Sequence, residues 1–229
     1  MTEVIPAILV DDFIELKEKL AQVANLVKTV QIDVCDGKFV PTTSWPIGNN
    51  NLHSVESILN EEDGLPFWDS VDFEFDLMVL NAHSQFEFFT RLGAKRIIFH
   101  LEAEGDIAEF NEFLEGIDMY TRENIDIGVA INTTTDINGL NNIIRNIDFI
   151  QCMGIEKIGH QGEPFDVRVI NQIKTLREKY PELIISVDGS VNEVTAPSLV
   201  EAGANRLVVG SALMNSYDVR AMIKELENL

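Results

Sequence analysis

Short apolar, β-branched runs recur along this chain at residues 4–10, 30–34, 71–79, 96–101, 125–131, 149–153, 183–187 and 206–209, each separated from the next by a stretch of helical periodicity. Runs of that length, apolar on both faces, suit parallel strands that are covered above and below. The intervening segments carry apolar stripes at helical spacing: Phe13, Leu16, Leu20 and Val23 in the first, Val169, Ile170, Ile173 and Leu176 further on, and Val219, Met222, Ile223 and Leu226 in the last. Ser84-Gln85-Phe86-Glu87 reads as a capping box, with Gly93 at the left-handed position that would end its helix. Asp106 and Glu109 open the next helix, which turns Ile107, Phe110 and Leu114 inward. Eight strand–helix units in 229 residues predict a single (β/α)8 barrel domain over residues 1–229 rather than an open doubly wound sheet. No G-x-G-x-x-G follows the first strand, which counts against a dinucleotide-binding fold.

Composition narrows the partners. With 17 Lys+Arg against 38 Asp+Glu the net charge is −21, so the surface repels a nucleic-acid backbone. The same field opposes a phosphorylated metabolite, and any phosphate site must therefore rest on local backbone N–H donors. The acidity itself reads as a solubility or high-salt adaptation. The apolar runs fall far short of the roughly 20 residues that span a bilayer, no secretory leader is visible, and the two cysteines, Cys35 and Cys152, suit a reducing compartment. The expectation is a cytoplasmic enzyme with no membrane partner.

In a barrel of this kind the chemistry sits at the C-terminal strand ends and in the loops that follow. Alternation places Gln31, Asp33 and Cys35 on one face of the second strand and Glu74, Asp76 and Met78 on one face of the third. The fourth strand ends at His100, the sixth at Met153 and the seventh at Asp188. A carboxylate inside an apolar parallel strand is costly without a partner. Asp33, Asp76 and Asp188 all stand in that setting, and three of them at one barrel mouth point to a functional site. Facing carboxylates can move a proton on and off a carbon next to a carbonyl. Gly189 and Ser190 after the seventh strand, and Gly210 and Ser211 after the eighth, let backbone N–H groups approach an anion; Gly159 and Gly162 add a third such loop. The long segment 38–51 either covers the mouth or is a surface insertion. His53 and His83 read as surface residues, His160 as a loop residue either solvated or touching substrate, and the Cys35 thiol as one pushed up by nearby carboxylates and so no nucleophile.

Several motifs together resemble the ribulose-phosphate 3-epimerase family over nearly the whole chain. Ile8-Leu9-Val10-Asp11-Asp12-Phe13 resembles that family's I-L-S-A-D-F, and Ile32-Asp33-Val34-Cys35-Asp36-Gly37-Lys38-Phe39-Val40-Pro41 its L-D-V-M-D-G-H-F-V-P. Glu74-Phe75-Asp76-Leu77-Met78-Val79 is similar to D-V-H-L-M-V, His100-Leu101-Glu102-Ala103 to H-x-E-A, Val187-Asp188-Gly189-Ser190-Val191 to V-D-G-G-V, and the segments at Ala202-Gly203-Ala204-Asn205 and Gly210-Ser211-Ala212 to A-G-A-N and G-S-A. The resemblance implies that Asp33 and Asp188 are the acid and base that invert C3 of a ketopentose 5-phosphate, interconverting ribulose 5-phosphate and xylulose 5-phosphate through an enediolate. It implies that Met78, Met153 and the methionine position held by Cys35 pack over that intermediate, and that Gly189, Ser190, Gly210 and Ser211 hold the phosphate.

The departures concern the metal. The resemblance implies a divalent cation on two histidines and the two aspartates, and the histidine positions are here Gln31 and Asp76; the strand-1 serine is Val10, and Gln161 and Glu163 replace the usual loop residues. Gln31, Asp33, Asp76 and Asp188 form an all-oxygen set that suits Mg²⁺, Mn²⁺ or Ca²⁺ rather than Zn²⁺ or Fe²⁺; a metal-free site is the other expectation, and there the carboxylates repel and at least one pKa rises. The leading expectation is thus a sugar-phosphate 3-epimerase, with a hexulose-phosphate 3-epimerase or a catalytically silent sugar-phosphate binder as alternatives. Barrels of this kind are often homo-oligomers, and no segment marks an interface.

Overall fold

A computed structural model describes residues 2–48, 52–160 and 162–229. Asn49, Asn50 and Asn51 of the long segment, and Gln161, lie outside the described residues. Eight parallel strands close into one barrel in sequence order: β1 (Glu3–Ile8), β2 (Thr29–Cys35), β3 (Asp72–Met78), β4 (Ala94–His100), β5 (Asp126–Ile131), β6 (Phe149–Met153), β7 (Ile184–Asp188) and β8 (Arg206–Val209), with β8 pairing back onto β1. Every strand expected from the apolar runs forms, within a few residues of its expected limits.

The helices on the outside are α1 (Phe13–Val23), α2 (Leu52–Leu59), α3 (Phe86–Arg91), α4 (Ile107–Gly116), α5 (Met119–Asn124), α6 (Arg168–Lys179), α7 (Ala196–Ala202), α8 (Ser211–Met214) and α9 (Val219–Glu227). Their starts are chemically marked. The Asp12 carboxylate accepts from the N–H groups of Ile14 and Glu15 at α1, and Asp106 accepts from Ala108 and Glu109 at α4, as its place in the sequence leads one to expect. The stripes Leu16, Leu20 and Val23 of α1, and Met222, Ile223 and Leu226 of α9, are buried against the sheet.

Two local expectations fail. Ser84 does not cap a helix: its hydroxyl donates to the Asn81 carbonyl, residues 82–85 form a 3-10 turn, and α3 starts only at Phe86 with no side-chain cap. Asn81 in the left-handed region sets that turn, ahead of any capping box. The connection from β5 to β6 is likewise no α-helix but two 3-10 turns, Ile137–Asn142 and Ile144–Asn146. Its sequence, Ile-Asn-Gly-Leu-Asn-Asn, is poor in helix formers. Gly93 does take the left-handed backbone, with φ +99°, after α3.

Inside the barrel the side chains stand in layers. Near the N-terminal strand ends a charged layer is closed on itself. Arg96 reaches Glu3 at 3.2 Å, Glu74 at 3.5 Å and Asp126 at 3.5 Å, and Arg206 reaches Glu3 at 3.0 Å while its guanidinium lies 4.7 Å from the centre of the Phe149 ring. Burial pushes the Glu74 carboxyl up to about 7 even though Arg96 and Arg206 pull it down. Phe149 fits only because β5 carries Gly128; a Cβ there would lie 2.4 Å from the ring. Ile98, Ala130, Phe149 and Met153 form a buried apolar cluster of their own.

Candidate active site

The pairing register explains why three carboxylates meet. Asp33 of β2 stands beside Asp76 of β3 in the ladder, and Asp188, the last residue of β7, stands across the barrel. One ligand oxygen from each of Asp33, Asp76 and Asp188 can be chosen so that all lie within 4.8 Å of one another. Gln31, one inward step below Asp33, is fully buried, and its amide nitrogen donates to Asp33 Oδ1 and to Asp188 Oδ2, both at 2.7 Å. His100 at the end of β4 is also fully buried, with Nε2 2.9 Å from Asp76 Oδ1.

These contacts set the proton affinities. Burial first, and then the neighbouring Asp76 carboxylate, push Asp33 up to about 7 against the pull of the Gln31 amide. Burial and the Asp33 charge hold Asp188 well above the usual carboxylate range. For His100, burial works to lower the pKa, but the charge and hydrogen bond of Asp76, together with the Glu102 and Asp33 charges, outweigh it and the imidazole sits above its ordinary value. The Cys35 thiol is fully buried and is raised by burial and by Asp33, so it does not behave as a nucleophile. Both cysteines are free.

A loop braces this layer. Ser44 accepts from the Cys35 N–H at 2.9 Å and donates to the Asp33 carbonyl at 2.8 Å, fixing the backbone of the β2 end. Asp36 accepts from the N–H groups of Lys38, Phe39 and Leu80, which tie the loop to the end of β3; these donors outweigh its partial burial and keep its pKa low. Phe39 packs 5.7 Å from the His100 ring, and Thr42 meets His160 at 3.3 Å. The described part of the long segment is thus packed: Phe39 and Val40 lie against Leu9, Cys35 and Met78. A methyl on Gly159, whose φ is +84°, would strike Val40 at 2.6 Å, so the β6 loop can lie this near only with glycine there.

Asp33, Asp76 and Asp188 open into a cavity of about 270 Å³ whose wall also includes Met78, Met153, Gly159, Gly162, Gly189, Ser190, Gly210 and Ser211. The sequence-derived set therefore converges, with Gln31 directly beneath. Among the described residues of that wall there is no lysine or arginine. Gly189 and Ser190 both take positive φ, +107° and +53°, and the Ser190 hydroxyl donates to the Glu163 carbonyl, joining the β7 loop to the β6 loop. Val10 is buried in the outer core, and Leu9 lines the cavity instead. His83 is no surface residue: its side chain is 13 % exposed, Nδ1 meets the Glu104 carboxylate, and Phe110 and Phe113 pack on its ring. Sequence reasoning missed this pairing because its partner lies on the next βα unit.

The donor set fits a hard divalent cation in one respect, since the carboxylate oxygens cluster and Asp76 Oδ2 is buried without a partner. No helix among the described residues is long and apolar enough to cross a membrane.

Comparison with known proteins gives the same frame. Residues 3–214 match the model of the ribulose-phosphate 3 epimerase family. The chain is 29 % identical over 232 residues to a ribulose-phosphate 3-epimerase of Bacillus subtilis, covering 99 % of this chain and 98 % of that protein. It is 28 % identical over 226 residues to the Eremothecium gossypii protein of the same name, covering 97 % and 90 %. Among solved structures, 3-hexulose-6-phosphate synthase from Salmonella typhimurium superposes with a TM-score of 0.67 at 14 % identity, over 100 % of this chain and 97 % of that one. The 3-keto-L-gulonate-6-phosphate decarboxylase of Vibrio cholerae gives 0.68 at 12 % identity, over 100 % and 97 %. At those identities the structures speak for the barrel, and the family match extends from the first strand through the helix that follows the last: this chain belongs to the ribulose-phosphate 3-epimerase family.

Proposed function

We propose that this protein epimerises a ketose phosphate at C3, interconverting ribulose 5-phosphate and xylulose 5-phosphate, with Asp33 and Asp188 as the acid/base pair. The observation that carries this reading is that both carboxylates, each with raised proton affinity, open into one cavity with the glycine loops of β6, β7 and β8. One proton held between the pair leaves one member ionised and the other protonated. The ionised member takes the C3 proton, the electron pair moves into an enediolate, and the protonated member delivers a proton to C3 from the opposite face. The roles exchange for the reverse reaction. Met78 and Met153 wall the planar intermediate and exclude water, while N–H groups around Gly189, Ser190, Gly210 and Ser211, with Gly159 and Gly162 beside them, hold the phosphate.

Asp33, Asp76 and Asp188 are the residues that would hold a hard cation, Mg²⁺, Mn²⁺ or Ca²⁺; when bound it supplies charge for the enediolate oxygen. The whole chain works as one domain in the cytoplasm on a small-molecule substrate.

The test is hydrogen exchange at C3 of ribulose 5-phosphate in D₂O, followed by NMR with Mg²⁺, with Mn²⁺ and with chelator. Deuterium at C3 and accumulating xylulose 5-phosphate are the expected result. Absence of exchange in every condition, with the substrate still raising the melting temperature, would leave a sugar-phosphate binder instead.

A further inference from the structure

We infer that Gln31 is a positioning residue: its side-chain amide ties Asp33 to Asp188 and holds the pair in working geometry with no cation between them. The inference rests on the epimerase reading for its consequence, and on geometry for the tie itself. The amide nitrogen has two protons and two carboxylate oxygens at 2.7 Å, one on each aspartate, which is the distance of a charge-assisted bond. The opposite orientation of the amide would set its carbonyl oxygen against the same two carboxyl oxygens, of which the ionised one can only accept, so the ionised member of the pair selects the nitrogen. Gln31 is fully buried between two strand neighbours, so the amide cannot swing to solvent. The remaining carboxylate, Asp76, is engaged separately, by His100 Nε2 at 2.9 Å. Each of the three carboxylates thus already has an internal donor. An N–H group cannot ligate a metal, so in this orientation Gln31 offers a cation no ligand atom, and Asp33 Oδ1, Asp188 Oδ2 and Asp76 Oδ1 are already engaged.

Three measurements test the tie. In side-chain ¹⁵N–¹H spectra of the wild-type protein, with Gln31→Glu assigning the signals, both Gln31 amide protons should be shifted downfield and slow to exchange. Millimolar Mg²⁺ should leave them in place. Water-proton relaxation should then show Mn²⁺ binding to wild type at least roughly tenfold more weakly than to Gln31→His, which supplies a nitrogen lone pair. Finally, wild-type turnover should persist in chelator, while Gln31→Leu loses about a hundredfold in kcat with KM changed less than about threefold.

Wild-type Mn²⁺ affinity equal to that of Gln31→His, or amide signals that move with Mg²⁺, would mean that Gln31 presents its oxygen to a cation and would overturn the proposal. So would a folded Gln31→Leu with unchanged kcat. If Gln31→Leu fails to fold, the spectra and the Mn²⁺ comparison still decide. A wild type without any epimerase activity sinks the functional reading alone, because those same two readouts judge the tie independently.

Discussion

At the N-terminal end of the barrel Arg96 and Arg206 meet Glu3, Glu74 and Asp126, whereas at the C-terminal end Asp33, Asp76 and Asp188 meet one histidine and one amide. Both layers are charged and both are largely buried. The lower one pairs its carboxylates with guanidinium groups. The upper one crowds carboxylates together and satisfies them with weaker donors, so that protons bind there more tightly than in water. Charge balance serves to hold the barrel closed, and imbalance stores a proton where a reaction can use it. A stability-optimised barrel would have the first arrangement at both ends.

The contrast can be broken from either side. Asp33→Asn or Asp188→Asn should cost roughly 10³-fold or more in C3 exchange while leaving stability equal or improved, read by NMR exchange and urea melts. Loss of both activity and fold would put these residues in the structural class. Arg96→Met at the other end should do the reverse: about 3–5 kcal/mol of stability lost, because the buried Glu74 loses its ion pair and Glu3 keeps only Arg206, with kcat of the folded fraction retained. Gly128→Ala drives a methyl into Phe149 and the stacked Arg206, and should destabilise by roughly 1–3 kcal/mol in the same assay.

A smaller effect sharpens the comparison through pH. Asp33 binds its proton more tightly folded than unfolded, so its stabilising contribution is complete below its unfolded value near 3.8 and is lost as pH rises through about 7. Wild type should therefore weaken relative to Asp33→Asn between those limits, with a limiting slope of about 1.4 kcal/mol per pH unit. A stability difference that stays flat with pH would show that Asp33 is ordinary in its proton binding.

Strand positions were legible because β-branched apolar runs have few other uses in a chain of this size, and the cluster of Asp33, Asp76 and Asp188 was legible because carboxylates are conspicuous inside such runs. What the residues meet was not. Whether Gln31 faces Asp188, or His100 faces Asp76, depends on strand register and barrel stagger, which link residues 157 and 24 positions apart. The lower network escaped notice for the same reason: Glu3, Arg96 and Arg206 look like ordinary strand-end charges until the barrel closes. The 3-10 turns after β5 had a signal in their Asn and Gly content, which the eightfold regularity of the pattern overrode.

The cavity wall without lysine or arginine has a kinetic consequence. On the epimerase reading, a phosphate dianion that meets no lysine or arginine among the described residues of that wall must first approach a protein of net charge −21. Its encounter rate should therefore rise as salt is added and level off once the Debye length falls to about 10 Å, near 0.1 M. Capture of a charged substrate is usually slowed by ionic strength; here salt would act as an accelerant, and the barrel would work faster in a concentrated interior than in dilute buffer.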